Sequence, residues 1–129
     1  MPNNKNLIPS RRSFDDLNLA ISTTQTELAE LTQNLRHFET SPQHKSLTAS
    51  LKDKIRAHAF ILTLLDEKRR RMNSQLIVGK YGKLKVYAEQ IGVSESYMHS
   101  IIHEHVVNTD NELYLHVHNE IAYLKENLK

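Results

Sequence analysis

Glycine and proline, the residues that break and turn a chain, are scarce in this sequence and unevenly placed. There are three of each in 129 residues, where average usage gives about nine glycines and six prolines. Pro2 and Pro9 lie near the start, and Pro42 stands alone in the middle. Gly79, Gly82 and Gly92 fall in one short stretch. Neither residue interrupts 43–78 or 93–129. Sheet-rich domains need turn residues every ~8–12 positions, and this chain cannot supply them. The expected class is all-α, with few breaks.

Hydrophobic residues make up 39% of the chain, which suits long helices with one buried stripe better than a thick core. The absence of cysteine excludes a disulfide scaffold and thiolate metal sites. A reducing cytoplasm is the simplest expected compartment. The formal net charge of +2 does not describe a polybasic coat. The opening stretch lacks the apolar core of a signal peptide. The strongest apolar run, Ala57 to Leu65, is interrupted by His58 and Thr63 and is too short to cross a bilayer. The expectation is a soluble, intracellular protein with no membrane partner.

Residues 1–12 read as a disordered tail. Ser13 then offers an N-cap, with Asp16 at the capping-box position. From there Phe14, Leu17, Ile21, Thr24, Leu28, Leu31, Leu35 and Phe38 alternate steps of three and four. That is a heptad seam with one polar member. Ser41 and Pro42 mark a new helix start. Leu47, Leu51, Ile55, His58, Leu62, Leu65 and Met72 line one face of that helix. Phe60, Ile61 and Leu64 widen it. A stripe this wide needs more than one neighbour. The expectation for 13–72 is an antiparallel, coiled-coil-like helical hairpin that dimerises into a four-helix arrangement. Phe14, Leu17, Ile21, Leu28, Leu31, Leu35, Phe38, Leu51, Ile55, Leu62 and Leu65 are its expected contacts.

The stretch 82–105, GKLKVYAEQIGVSESYMHSIIHEH, carries the most information. Two helices that cross closely need a small residue in the first, and Ala88 is one. They need a turn residue that tolerates positive φ, and Gly92 is one. Leu84, Tyr87, Ile91, Val93, Met98 and Ile101 supply apolar locks, and Ser94 a cap for the second helix. This pattern resembles the helix-turn-helix of bacterial transcription regulators. It is most similar to one of the two units of the AraC-type family, through Tyr87-Ala88, Ile91, Val93-Ser94, Tyr97-Met98 and Ser100. The likeness continues through Glu112, Leu113, Ile121, Ala122 and Leu124. It covers roughly 76–128. The family's second unit is absent, and the glycine common after its recognition helix is Val107 here. The lambda-repressor-like (Cro-type) family shares the core pattern. Residues 73–129 are thus expected to form a helix-turn-helix domain with a C-terminal helix.

The resemblance implies a dimeric transcriptional regulator that binds double-stranded DNA. Base edges would meet the outward residues of the second helix, Ser94, Glu95, Ser96, Tyr97, His99 and Ser100, with His103 further along. Lys80, Lys83 and Lys85, with Arg69, Arg70 and Arg71, would face phosphates. The same arginines, beside Lys68, also suit a solvated helix end. Charge is the obstacle. Residues 73–129 hold five lysines, no arginine and seven acids, whereas phosphate neutralisation drives most DNA affinity. The alternative is a protein-interaction module, an inhibitor or adaptor that reuses the fold without DNA.

Five histidines, His99, His103, His105, His116 and His118, lie within twenty residues. His99 and His103 have a chelating spacing, but nothing nearby completes a metal site, and no metal or other cofactor is expected. No phosphate-binding glycine loop or nucleophile elbow is present, so the chain does not read as an enzyme.

Overall fold

A computed structural model describes residues 8–104 and 111–128. Among them are five α-helices, one short 3-10 turn and no strand, so the protein is all-α. The chain divides into two compact units. One is 15–66. The other joins the segment up to Phe14 to the residues from Glu67 onward.

Helix α1 spans Arg11–Phe38. It starts two residues ahead of the expected Ser13 cap. Ser10 takes that role instead: the Ser13 N–H donates to Ser10 Oγ at 3.1 Å. Arg11 and Arg12, read from sequence as the end of a tail, form the first turn. The seam faces inward as its spacing requires. Leu17 and Thr24 are buried, while Ile21, Leu28, Leu31, Leu35 and Phe38 are half-buried. Thr24 fits because its hydroxyl donates to the Ala20 carbonyl at 2.8 Å, satisfying itself within its own helix.

The chain turns at Glu39–Ser41 and enters a 3-10 turn, Pro42–His44, then α2, Lys45–Tyr81. Pro42 sits in the first turn as expected. The Ser41 side chain makes no cap bond, although its carbonyl accepts from the His44 N–H at 3.1 Å. Within the 15–66 unit, Leu51 is buried, and Ile55, Leu62 and Leu65 are half-buried. Leu47 stays 41% exposed. His58 ties α2 to α1: its Nε2 meets the Glu27 carboxylate at 3.0 Å, and its Nδ1 donates to the Lys54 carbonyl at 2.8 Å.

Helix α2 has 37 residues, about 55 Å at the usual rise. It runs through 72–73 without a break. Gly79 lies inside this helix. A Cβ there would meet Ile8 at 3.2 Å, so the glycine is where the N-terminal segment lies against α2. Gly82 supplies the actual stop. Its φ is 83°, and its N–H donates to the Val78 carbonyl at 2.8 Å.

In the second unit, Phe14, Met72, Leu76, Ile77, Tyr87, Ala88, Met98, Ile101, Ile102, Val117 and Ile121 form the core. Helix α3 is Leu84–Ile91, α4 is Glu95–Ile102, and α5 is Asn111–Glu126. Helix α4 packs on both α3 and α5. The α5 stripe is as spaced: Val117 and Ile121 are buried, while Leu113, Leu124 and Leu128 are half-buried. Leu115 and Ala122 beside it face solvent. The start of α1 closes the unit. Arg11 donates to the Glu126 carbonyl at 2.6 Å, placing a cation at the negative end of α5. Lys125 lies over the Phe14 ring at 4.9 Å. Burial, with Arg69 adding to it, holds the Lys125 ammonium below its usual range. Asp110, an expected α5 cap, lies outside the described residues, as do His105 and Val107.

Candidate nucleic-acid interface

The geometry around Gly92 follows from three residues. Gly92 has φ 90°, a conformation that costs an L-residue with a Cβ. Its N–H donates to the Glu89 carbonyl at 3.2 Å, and the Val93 N–H donates to the Ala88 carbonyl at 3.0 Å. These two bonds are the paired closure of a Schellman motif. Ser94 then opens α4 in an extended conformation, and its Oγ accepts from the Tyr97 N–H at 3.1 Å. One glycine and one serine thus reverse the chain within three residues. Ala88, 1% exposed, leaves room for the close approach.

Helix α4 is two-sided. Met98, Ile101 and Ile102 are buried, with Met98 and Ile102 fully so. Ser94, Glu95, Ser96 and His99 are exposed, and Tyr97, Ser100 and His103 are half-buried. Glu95, Ser96, His99 and Ser100 line an open depression with Leu84 at the start of α3. The His99 and His103 rings stack, with centroids 4.1 Å apart. The surface therefore offers hydroxyls, imidazoles and one carboxylate, which are hydrogen-bonding groups rather than fixed positive charge. Among the described residues, no group of three His, Asp or Glu is placed to hold a metal ion.

The cations expected around this face separate into two sets. Lys83, Lys85 and Arg71 are exposed. Lys80 is exposed but tied to Glu120 at 2.8 Å, and this carboxylate holds its ammonium above the usual range. Arg69 and Arg70 are half-buried. Arg70 approaches Glu104 at 3.5 Å, and Glu104 also accepts from the Tyr114 hydroxyl at 3.0 Å. Arg70 thus works inside its unit, a long-range pairing that local sequence does not reveal.

Two further features of this unit are hidden in the sequence. Glu104 ends α4 with φ 58°, the left-handed conformation that a glycine usually takes after a helix. Its carboxylate contacts to Arg70 and Tyr114 hold it there. Tyr87, 2% exposed and stacked on Tyr81, buries a hydroxyl that makes no hydrogen bond. Burial pushes its phenol up to about 12. Elsewhere His118 Nε2 donates to the Ile101 carbonyl at 3.0 Å, so this histidine fastens α5 to the end of α4.

No helix among the described residues is long and apolar enough to cross a membrane. In comparisons with known proteins, no family model, no curated protein and no solved structure matches the chain.

Proposed function

We propose that the protein is a small dimeric DNA-binding regulator of transcription, acting in the cytoplasm. The α3–turn–α4 pair would serve as a helix-turn-helix, with α4 in the major groove. The observation that carries this reading is the division of α4. Its inner face is fully used by the core. The N-terminal part of its outer face presents the cap residue Ser94, then Glu95, Ser96 and His99, to solvent. That is the part of a recognition helix that meets base edges. Serine hydroxyls can bond either base type, and a glutamate can accept from cytosine N4. Tyr97, Ser100 and His103 flank this contact. Lys83, Lys85 and Arg71 are the exposed cations for phosphates, and Lys80 could join by exchanging Glu120 for a phosphate. A dimer on a palindrome needs its two recognition helices ~34 Å apart.

The test is an anisotropy titration of labelled genomic fragments at several salt concentrations. Saturable binding that falls steeply with salt supports the reading. Ser96→Ala and His99→Ala are then expected to cost about 1–3 kcal/mol each for a well-made base contact. Lys83→Ala should reduce the salt slope by about one. An absence of binding at low salt ends it.

A protein-interaction module that does not bind DNA is the second reading. The half-burial of Arg69 and Arg70, and the engagement of Arg70 with Glu104, favour it by taking basic charge from the surface. Recovery of one stoichiometric protein partner, without nucleic acid, would select it.

A further inference from the structure

The outer face of α2 carries an apolar strip that its own chain does not cover. Phe60 is 64% exposed, Leu64 48% and Ile61 43%, and Ala57 is exposed beside them. Their spacing puts all four on one side of the helix. This strip points away from the face formed by Leu51, Ile55, His58, Leu62 and Leu65. Those residues are at least half-buried in the single chain, so the strip, rather than that inner face, is what remains for a partner.

The edges of the strip say which partner fits. Asp53 and Glu67 continue the Phe60 line one heptad to either side, and Lys54 and Lys68 continue the Ile61 line in the same way, all exposed. Each edge repeats its charge after two heptads, in step with Ala57 and Leu64 one heptad apart. A surface with its own acids along one edge and its own lysines along the other is complementary to itself. A two-fold axis parallel to the helix exchanges the edges. In register, Phe60 then meets the partner's Ile61, Asp53 meets the partner's Lys54, and Glu67 meets the partner's Lys68. Turned end for end about the centre of the strip, each edge meets itself, Lys54 against Lys68 and Asp53 against Glu67, and like charges oppose. Arg56, beside the acidic edge, already reaches Asp53 of its own chain at 3.6 Å.

We infer that the protein dimerises through the Ala57–Phe60–Ile61–Leu64 strip of α2, packed in parallel on the same strip of a second copy. This rests on the dimeric reading above and replaces the surface expected from the heptad seam. Sedimentation equilibrium of the full chain tests it. The wild type should be a dimer. Phe60→Asp and Leu64→Asp should each weaken association by at least about tenfold. Both residues are exposed in the single chain, so the helicity of the variants should stay near wild type. A monomeric wild type at every concentration overturns the inference and the dimeric reading together. A dimeric wild type whose Leu64→Asp variant associates equally well overturns only the surface. The absence of native cysteine allows a second check. Ala57→Cys and Leu64→Cys should each form a covalent dimer on oxidation. Cross-linking that needs both variants mixed would mean the antiparallel sense and overturn the parallel register.

Discussion

Glu104 and Tyr87 show how single side chains are held against their own preferences. A left-handed φ costs a residue with a Cβ about 1–2 kcal/mol. At Glu104 the contacts to Arg70 and Tyr114 oppose that cost. Urea denaturation separates the two effects. Glu104→Ala loses the carboxylate and keeps the strain, while Glu104→Gly loses both. The glycine variant should therefore be the more stable of the two by about 1 kcal/mol. Tyr87 makes a different point. Its phenol is raised to about 12 from about 10 in the unfolded chain. The folded protein binds the proton more tightly, so the contribution is complete below pH ~10 and is lost as pH rises toward ~12. Tyr87→Phe should remove that part of the alkaline loss. Because it deletes a buried hydroxyl with no partner, it should not destabilise the protein near neutral pH. Thermal melts of both proteins between neutral and alkaline pH would show this.

At the scale of the elements, periodic features were legible and long-range ones were not. The steps of three and four along α1 identify its inward face, because period alone fixes which residues share a side. The Gly92 corner and the Ser94 cap were legible for a related reason, since both are local backbone chemistry. Gly92→Ala should cost about 1–2 kcal/mol. No atom lies within 4 Å of the added methyl, so the cost is conformational alone. Ser94→Ala should cost about 1 kcal/mol, and chemical denaturation measures both. The reason for a glycine at 79, inside α2, is not legible locally because it is remote: Ile8, far away in sequence, needs the space. Ser13 lost the cap to Ser10 because either serine satisfies the local rule. At the candidate interface, helical spacing accounts for the exposure of Glu95, Ser96 and His99 on α4, whereas Tyr97, Ser100 and His103 are half-buried. The diversion of Arg70 to Glu104 was not legible, because it depends on a contact made across the unit.

At the scale of the whole molecule, the second unit is assembled from both ends of the described chain. Phe14 is 5% exposed, Arg11 caps α5, and Ile8 lies against Gly79. A fragment covering 67–129 would lack all three. It should unfold less cooperatively and at lower denaturant than the same unit in the full chain, as circular dichroism would show. Phe14→Ala in the full chain should cost about 3–5 kcal/mol, the range for removing a buried aromatic side chain. The Arg11 bond also sets an order of events during synthesis. Arg11 is polymerised 115 residues before the carbonyl it will bond. At about 5–20 residues per second, the 15–66 unit is complete in sequence seconds before that carbonyl exists. Throughout that interval the first turn of α1 has no α5 to close upon. The α4 face can therefore reach its finished setting only after nearly all the described chain has been made.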